Sequence, residues 1–528
     1  MTAGVPVPPA HVQPEEPGPF DGRRGRWFLV GVIASVVVGI ALRCWTTSDL
    51  WLDEALTANI ARRPLGDLVS LLEHDGAPPL YYVLLHGWMK VFGTGDLAVR
   101  SLSGVLGVVA IALCWPAGAR LGGASVARRH WVAVTTVVVM ASSAYAIRYS
   151  TENRMYMLEM VLVLVGYLAV RRALEHPTLP RLVAVAAVTA ALLYTQYWSL
   201  YLVAVVGVCL VGVSWRASRP GAARRTLVAV AVGCVAFLPW VPTFLDQAAR
   251  TGTPWATSTV PPTGVVLALS EFAGGEHFEG DVLLIAFVLL PLLALFGAAS
   301  SRRHIDLDLR TRPAVRWEWI VWVATLLVGL TASYAAASAF QGRYAAIVFP
   351  LFVLTLAYGI TVFRSRGVRY ALIAVIVLFG LVGGVRNVDE NRTQAGAVAT
   401  AVNDRARPGD VVGYCPDQVA PSVNRLVTRD VEQGVFPDFG SPEIVDWVDY
   451  AERNEAADPI AYAEDLVARA GPDGTIFFVY AAGYRTLGVK CEAVAQHLTT
   501  LRSTPEILVV DDGVTLEHMN LLRYPPAP

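Results

Sequence analysis

Residues 23–55 read RRGRWFLVGVIASVVVGIALRCWTTSDLWLDEA, and the order of their parts decides the class of protein. Three arginines come first. An apolar run from Trp27 to Cys44 follows, with Arg43 its only charge, and then a carboxylate pair, Asp53-Glu54. A helix needs roughly 17–25 mostly apolar residues to cross the hydrocarbon of a bilayer, and this run meets that length. No small-x-small cleavage pattern follows it. It therefore reads as a retained signal-anchor helix rather than a cleaved signal peptide.

Ten further apolar runs follow, near residues 99–119, 131–147, 155–170, 182–196, 199–215, 226–242, 282–299, 319–336, 344–362 and 370–385, several of them at the short end for a span. Hydrophobic residues make up 55% of the 528 and charged residues only 16%. A soluble domain carries roughly 25% charge, so the chain reads as a polytopic membrane protein. The same balance excludes disordered, collagen-like, coiled-coil and disulfide-scaffold classes. A formal net charge of −1 gives no reason to expect a nucleic-acid partner. The expected fold is an all-α membrane bundle of about eleven transmembrane helices over residues 23–385. Ahead of it, residues 1–22 hold six prolines in the first twenty positions and read as a disordered cytoplasmic tail.

Orientation follows from arginine. One set of loops holds 21, clustered at 23–26, 120–129, 171–181, 216–225, 302–316 and 364–369, whereas the opposite loops up to residue 385 hold seven cations spread over longer segments. The arginine-rich side reads as cytoplasmic, which puts the N-terminus inside and residues 386–528 outside a plasma membrane. Residues 79–92 are apolar enough to be mistaken for another span. They are short, contain His86 and Lys90, and set Tyr81, Leu84, Leu85, Trp88 and Phe92 on one helical face, as expected of a helix lying in the interface. The Leu65, Leu68, Leu72 stripe before it reads the same way.

Residues 386–528 regain ordinary charge density. DVVGYC, TIFFVY and EILVV read as buried strands alternating with helices near 443–470 and 490–502, a small extracytoplasmic α/β domain. Cys415 and Cys491 are the two cysteines within it. An oxidising compartment favours a bridge between them, with two buried free thiols as the alternative.

The residues able to carry chemistry gather on the outer side. Asp53-Glu54 is the first group and His74-Asp75, ahead of Pro78-Pro79-Leu80-Tyr81-Tyr82, the second. Glu152-Asn153-Arg154 in the loop 148–156 is the third, and Gln341-Gly342-Arg343-Tyr344 the fourth. Any one of them reads equally well as a set of solvated helix-end anchors. Four on one side, in loops that must converge above one bundle, point to a site. Glu159 lies inside an apolar run, where a carboxylate is costly. A buried ion pair with Arg43 or Arg100 is the favoured reading of it, and a functional role the other.

Leu52-Asp53-Glu54-Ala55, Asp75 with PPLYY at 78–82, Tyr149-Ser150 with Glu152 and Arg154-Met155-Tyr156, and the late Arg343-Tyr344 together resemble the C-type glycosyltransferases. Within them they are similar to the branch of protein O-mannosyltransferases, lipid A aminoarabinose transferases and Rgt-type galacturonosyltransferases. The resemblance covers roughly residues 27–385, and the tail from 386 carries none of it. It implies an inverting hexosyl- or pentosyltransferase that moves a sugar from a polyprenyl-phosphate donor to a glycan, lipid or protein acceptor at the outer face. The family's catalytic base falls on Asp53, with Glu54 as rival, since adjacent loop positions are not ranked by sequence. Substrate-binding roles fall on His74, Asp75, Glu152 and Arg154, and contact with the donor phosphate on Arg343 and Tyr344. Many relatives read His-Pro-Pro where Ala77 stands, which leaves any metal site unassigned and a divalent cation as the one open cofactor.

The alternative is a transporter or flippase for a lipid-linked solute. Such proteins tend to carry internal repeats and mid-membrane charges. No repeat is evident, and most candidate residues sit in outer loops. A catalytically silent scaffold with a partner-binding outer domain is the third reading.

Overall fold

The computed structural model describes residues 17–216, 220–253 and 256–526. Each of the eleven apolar runs becomes helical: Gly22–Leu42, Asp96–Leu121, Val126–Ser142 with Ala144–Ser150, Tyr156–Glu175, Leu179–Leu193, Ser199–Arg216, Pro220–Ala236, Phe278–Phe296, Arg316–Ala335, Phe349–Ile360 and Arg366–Asp389. Among the described residues, six helices are long and apolar enough to cross a membrane, and the bent pair 126–150 makes a seventh. The count is lower than the eleven spans expected. Tyr156–Glu175 carries four charged residues, and Leu179–Leu193, Ser199–Arg216 and Phe349–Ile360 are short. The molecule is a multi-pass membrane protein.

The bend has a local cause. Ser143 adopts extended backbone, and its side chain accepts from the Ala146 N–H at 3.1 Å, capping a new helix that leaves the first at 58°. That short helix carries Tyr145, Arg148 and Tyr149 across the end of the bundle. Small residues let helices close on this element, as expected in hydrocarbon, where packing rather than water expulsion drives association. A Cβ at Gly39 would stand 2.2 Å from the Ala141 carbonyl oxygen, and one at Gly380 would stand 2.6 Å from that of Ser142.

The expected tail is only partly visible. Residues 1–16 lie outside the described residues, but 17–21 are held on the bundle. Trp131 Nε1 donates to the Pro17 carbonyl at 3.3 Å, Tyr370 Oη to that of Pro19 at 2.8 Å and Arg366 Nη2 to that of Asp21 at 2.7 Å.

Three short helices, Leu52–Arg62, Leu68–Asp75 and Leu80–Phe92, fill the first loop. The longest has 13 residues, about 20 Å, too short to cross. Its buried face is Tyr81, Tyr82, Leu85, His86 and Met89 rather than the expected stripe. Leu84 and Phe92 instead join Val83 and Val91 on an exposed apolar face, which fits a helix packed on protein on one side and on lipid on the other. Pro261–Ala273 is a further helix, in a stretch read from the sequence as loop. It brings Glu271 against Gly342, where an added Cβ would stand 2.3 Å from Glu271 Cγ.

Two strands, β1 (Gly297–Ala299) and β2 (Ile305–Leu307), form a hairpin between helices. The C-terminal part holds β3 (Val411–Cys415), β4 (Glu432–Val435), β5 (Ile476–Tyr480), β6 (Glu506–Val509) and β7 (Asn520–Tyr524) in the order β4-β3-β5-β7-β6. The first three run parallel, and β7 is antiparallel to both its neighbours. Strand side chains alternate between faces. Val411, Phe478 and Tyr524 pack on helices Pro459–Ala470 and Lys490–Leu501, while Val412, Phe477, Val479 and Leu521 pack on Ala395–Arg405 and the segment around Val423. Cys415 and Cys491 are bonded to each other, their Cα atoms 5.4 Å apart.

Glu159 does not find the arginines expected for it. Arg43 donates to the carbonyls of Gly39, Met140 and Ala141 at 2.6–2.7 Å, closing helix ends, and Arg100 goes to Glu54. Glu159 is fully buried, and neither of its oxygens has a hydrogen-bond partner among the described residues.

Candidate functional site

Asp53 and Glu54 occupy the first turn of the Leu52–Arg62 helix, so their side chains diverge by about 100° around its axis. That divergence separates them chemically. Glu54 is fully buried and takes Arg100 Nε on Oε1 at 2.7 Å and Arg100 Nη2 on Oε2 at 2.5 Å. The Asn153 N–H adds a third bond at 2.8 Å, and Arg392 Nη1 stands 3.9 Å away. Burial alone would push this carboxyl up, yet the guanidinium of Arg100, its hydrogen bonds, Arg392 and Asn153 hold it below the ordinary carboxylate range. Arg100 also donates to the Ser48 and Asp49 carbonyls, and Arg392 to Thr151. The knot ties four chain segments under the site, at 48–54, Arg100, 151–153 and Arg392, and leaves Glu54 no free face.

Asp53 turns the other way. Its side chain is 17% exposed, and Arg343 Nη1 meets Oδ2 at 3.2 Å. Arg343 arrives on the turn Gly342–Ile347, whose Gly342 carbonyl accepts from Tyr145 Oη at 2.9 Å. Its guanidinium lies over Trp51 at 5.5 Å and Tyr344 at 5.8 Å. Tyr344 continues into an aromatic group with Trp198 and Phe340. Arg154 approaches from the other side, donating to Thr57 Oγ1 at 2.7 Å and to the Asp53 carbonyl at 3.5 Å. Two arginines thus flank one accessible carboxylate, beside a wall of rings.

The remaining candidates divide. Asp75 accepts from Tyr82 Oη, and its carboxyl is pushed up by burial against the pull of Arg154. Glu152 is buried against Arg148 Nε at 3.2 Å, and burial together with the nearby Glu54 charge raises it. His74 is not brought to the site. Its Nδ1 meets Asp446 at 2.8 Å, and its carbonyl accepts from the Trp447 N–H, so it serves the seam with the C-terminal part. Among the described residues no three His, Cys, Asp or Glu side chains converge as a metal-binding set.

Several members are invisible to motif reading. Glu271 carries a carboxyl that burial raises and the Arg148 and Arg343 charges lower. Arg392 comes from beyond the last long helix, and Glu517 and Tyr484 from the C-terminal part. Both of the latter lie close enough to Asp53 for its charge to act on them. The C-terminal part therefore stands over the site, fastened by Asn59 to the Glu443 carbonyl at 2.8 Å, Arg62 to Glu443 at 3.1 Å and Arg425 to Asp96 at 3.1 Å.

Glu517 gives a pH prediction. Oε1 accepts from Ser422 Oγ at 2.9 Å, and Oε2 is buried and has no hydrogen-bond partner among the described residues. Burial pushes its carboxyl up to about 8, against the hydrogen bonds from Thr393 and Ser422. The unfolded chain releases this proton near its ordinary pKa of about 4.3, so stability from it is full below about pH 4 and lost as pH rises toward about 8. Glu517→Gln removes the titration. The thermal midpoints of variant and parent, measured in detergent, should coincide near pH 4 and separate in favour of the variant toward pH 8. A gap of constant size across that range would contradict the assignment.

No family model matches the chain, and no curated protein matches it in sequence. Solved structures do match in fold. ArnT from Cupriavidus metallidurans in the apo state aligns with a TM-score of 0.61 at 13% identity, over 95% of this chain and 98% of that one. The same protein bound to undecaprenyl phosphate aligns with a TM-score of 0.57 at 13% identity, over 94% and 98%. The architecture is thus that of the ArnT structures, a helical membrane bundle followed by a small C-terminal sheet domain.

Proposed function

We propose that this protein transfers a sugar from a polyprenyl-phosphate donor to a cell-envelope acceptor at the outer face of the membrane. The observation that carries the reading is the accessible Asp53 carboxylate flanked by Arg343 and Arg154, next to the aromatic wall at Tyr344. The ArnT fold, which has been captured with undecaprenyl phosphate, supports the donor class. The arginine distribution supports an N-terminus inside and the C-terminal domain outside, over the site.

In the proposed reaction Asp53 takes the proton of the acceptor hydroxyl as its oxygen attacks the anomeric carbon. The bond from that carbon to the phosphate oxygen breaks as the new glycosidic bond forms, which inverts the centre in one displacement. The departing lipid phosphate gains charge, and Arg343 stabilises it by charge-assisted hydrogen bonds. An arginine that engages the phosphate also releases the carboxylate it pairs with. Arg154 holds the Asp53 backbone in place. Glu54, consumed by Arg100, is a structural member.

Mass spectrometry of envelope glycans and lipid-linked sugars from a deletion strain tests the reading. Loss of one glycosidic residue, with its polyprenyl-phosphate donor accumulating, is the expected result. An unchanged glycan profile with normal lipid-linked pools would overturn it.

A further inference from the structure

A cavity lies at the far end of the bundle. Tyr156–Glu175 starts beside Asp53 and ends at Arg171 and Glu175, about 22 Å away along its axis from Tyr156 to Arg171. Between it and helices Leu179–Leu193, Ser199–Arg216, Pro220–Ala236 and Arg316–Ala335 is a cavity of about 420 Å³. Its walls are aliphatic, including Val163, Val188, Leu202, Val206 and Leu210. It follows the first helix from Val163 to Glu175, about 18 Å, which suits a hydrocarbon chain and lies within the roughly 300–1,000 Å³ of ligand sites.

The far end is polar in a specific way. Glu318 lines the cavity, is 4% exposed, and accepts on Oε1 from Arg171 Nη1 at 2.8 Å and Tyr167 Oη at 3.2 Å. Its other oxygen, Oε2, is buried and has no hydrogen-bond partner among the described residues. Such an oxygen is costly unless a donor meets it. Arg171, one-third exposed, stands at the mouth and presents the complementary charge.

From this combination we infer that the cavity is a binding site for a phospholipid with a primary-amine headgroup, drawn from the leaflet opposite Asp53. The acyl chain fills the aliphatic wall, the ammonium donates to Glu318 Oε2, and the headgroup phosphate accepts from Arg171. An ammonium offers three N–H donors, whereas a quaternary amine offers none. A hydrocarbon tail alone would leave Glu318 Oε2 unmet.

The test titrates the full-length purified protein with phosphatidylethanolamine or phosphatidylcholine of matched chains, and reads bound lipid by native mass spectrometry. Phosphatidylethanolamine should be retained about tenfold better, the worth of one charge-assisted hydrogen bond. Glu318→Gln should bring it down to the phosphatidylcholine level. Val206→Trp fills the cavity while keeping the Arg171–Glu318 pair, and should reduce both lipids. Equal retention of the two lipids by the parent protein would overturn the inference. So would a preference for phosphatidylethanolamine that survives Val206→Trp, or displacement of the bound lipid by polyprenyl phosphate, which would give the cavity to a donor tail.

Discussion

Replacing Asp53 by Asn is expected to lower sugar transfer by about 10²–10⁴-fold, the usual worth of a positioned general base. The change keeps the size of the side chain and an oxygen facing Arg343 Nη1, now 3.2 Å from Oδ2, so the geometry is retained while the proton acceptor is lost. Donor binding should persist, because Arg343 and Tyr344 remain in place. The measurement is transfer of labelled sugar from a synthetic polyprenyl-phosphate donor by purified variants, with donor binding followed in parallel. Near parental transfer by Asp53→Asn would remove the base from this position. Lost donor binding with a normal rate at saturation would recast Asp53 as a partner that orients Arg343.

Glu54→Gln is expected to act on stability instead, at about 3–5 kcal/mol, the usual cost of stranding one member of a buried ion pair. Arg100 would then stand buried against an amide, with Arg392 close by and no carboxylate between them. The segments around Ser48, Thr151 and Arg392 share this knot, so the loss should spread to the loops that present Asp53. Thermal unfolding in detergent reads the effect directly. Because the pair is coupled, Glu54→Leu together with Arg100→Leu should lose less than the two single changes summed. A Glu54→Gln protein of parental stability that has lost transfer would return Glu54 to contention as the base.

The two carboxylates illustrate how far the sequence could be read. Asp53-Glu54 was legible as a pair at a membrane boundary, and so were Glu152, Arg154, Arg343 and Tyr344 as outer-loop groups. Which member of the pair faces substrate depended on where the Leu52–Arg62 helix begins and on Arg100, which is 46 positions further along the chain. His74 had suitable chemistry and proximity in sequence, yet Asp446 and Trp447 claim it. Glu271 stayed hidden because its helix was read as loop, and Glu517 and Tyr484 because no motif marks a residue that reaches the site only through domain docking.

The sequence by itself determined the membrane class and the eleven helical runs, and it favoured a Cys415–Cys491 bridge that the structure forms. The first two follow from hydropathy, a property of local composition that needs no knowledge of packing, whereas the bridge also needed the fold to bring the two cysteines within reach. Strand β7 shows where that reading stopped: Asn520–Tyr524 is short and carries Arg523, and it becomes a strand because β5 and β6 hydrogen-bond it from both sides. Only the tertiary structure decided that Glu159 meets no hydrogen-bond partner among the described residues, that the C-terminal part covers the site, and that Asp53 and not Glu54 stays accessible. Each of these depends on contacts between segments up to several hundred residues apart. The cost of burying a charge is settled by the partners the fold delivers, and no local pattern records them.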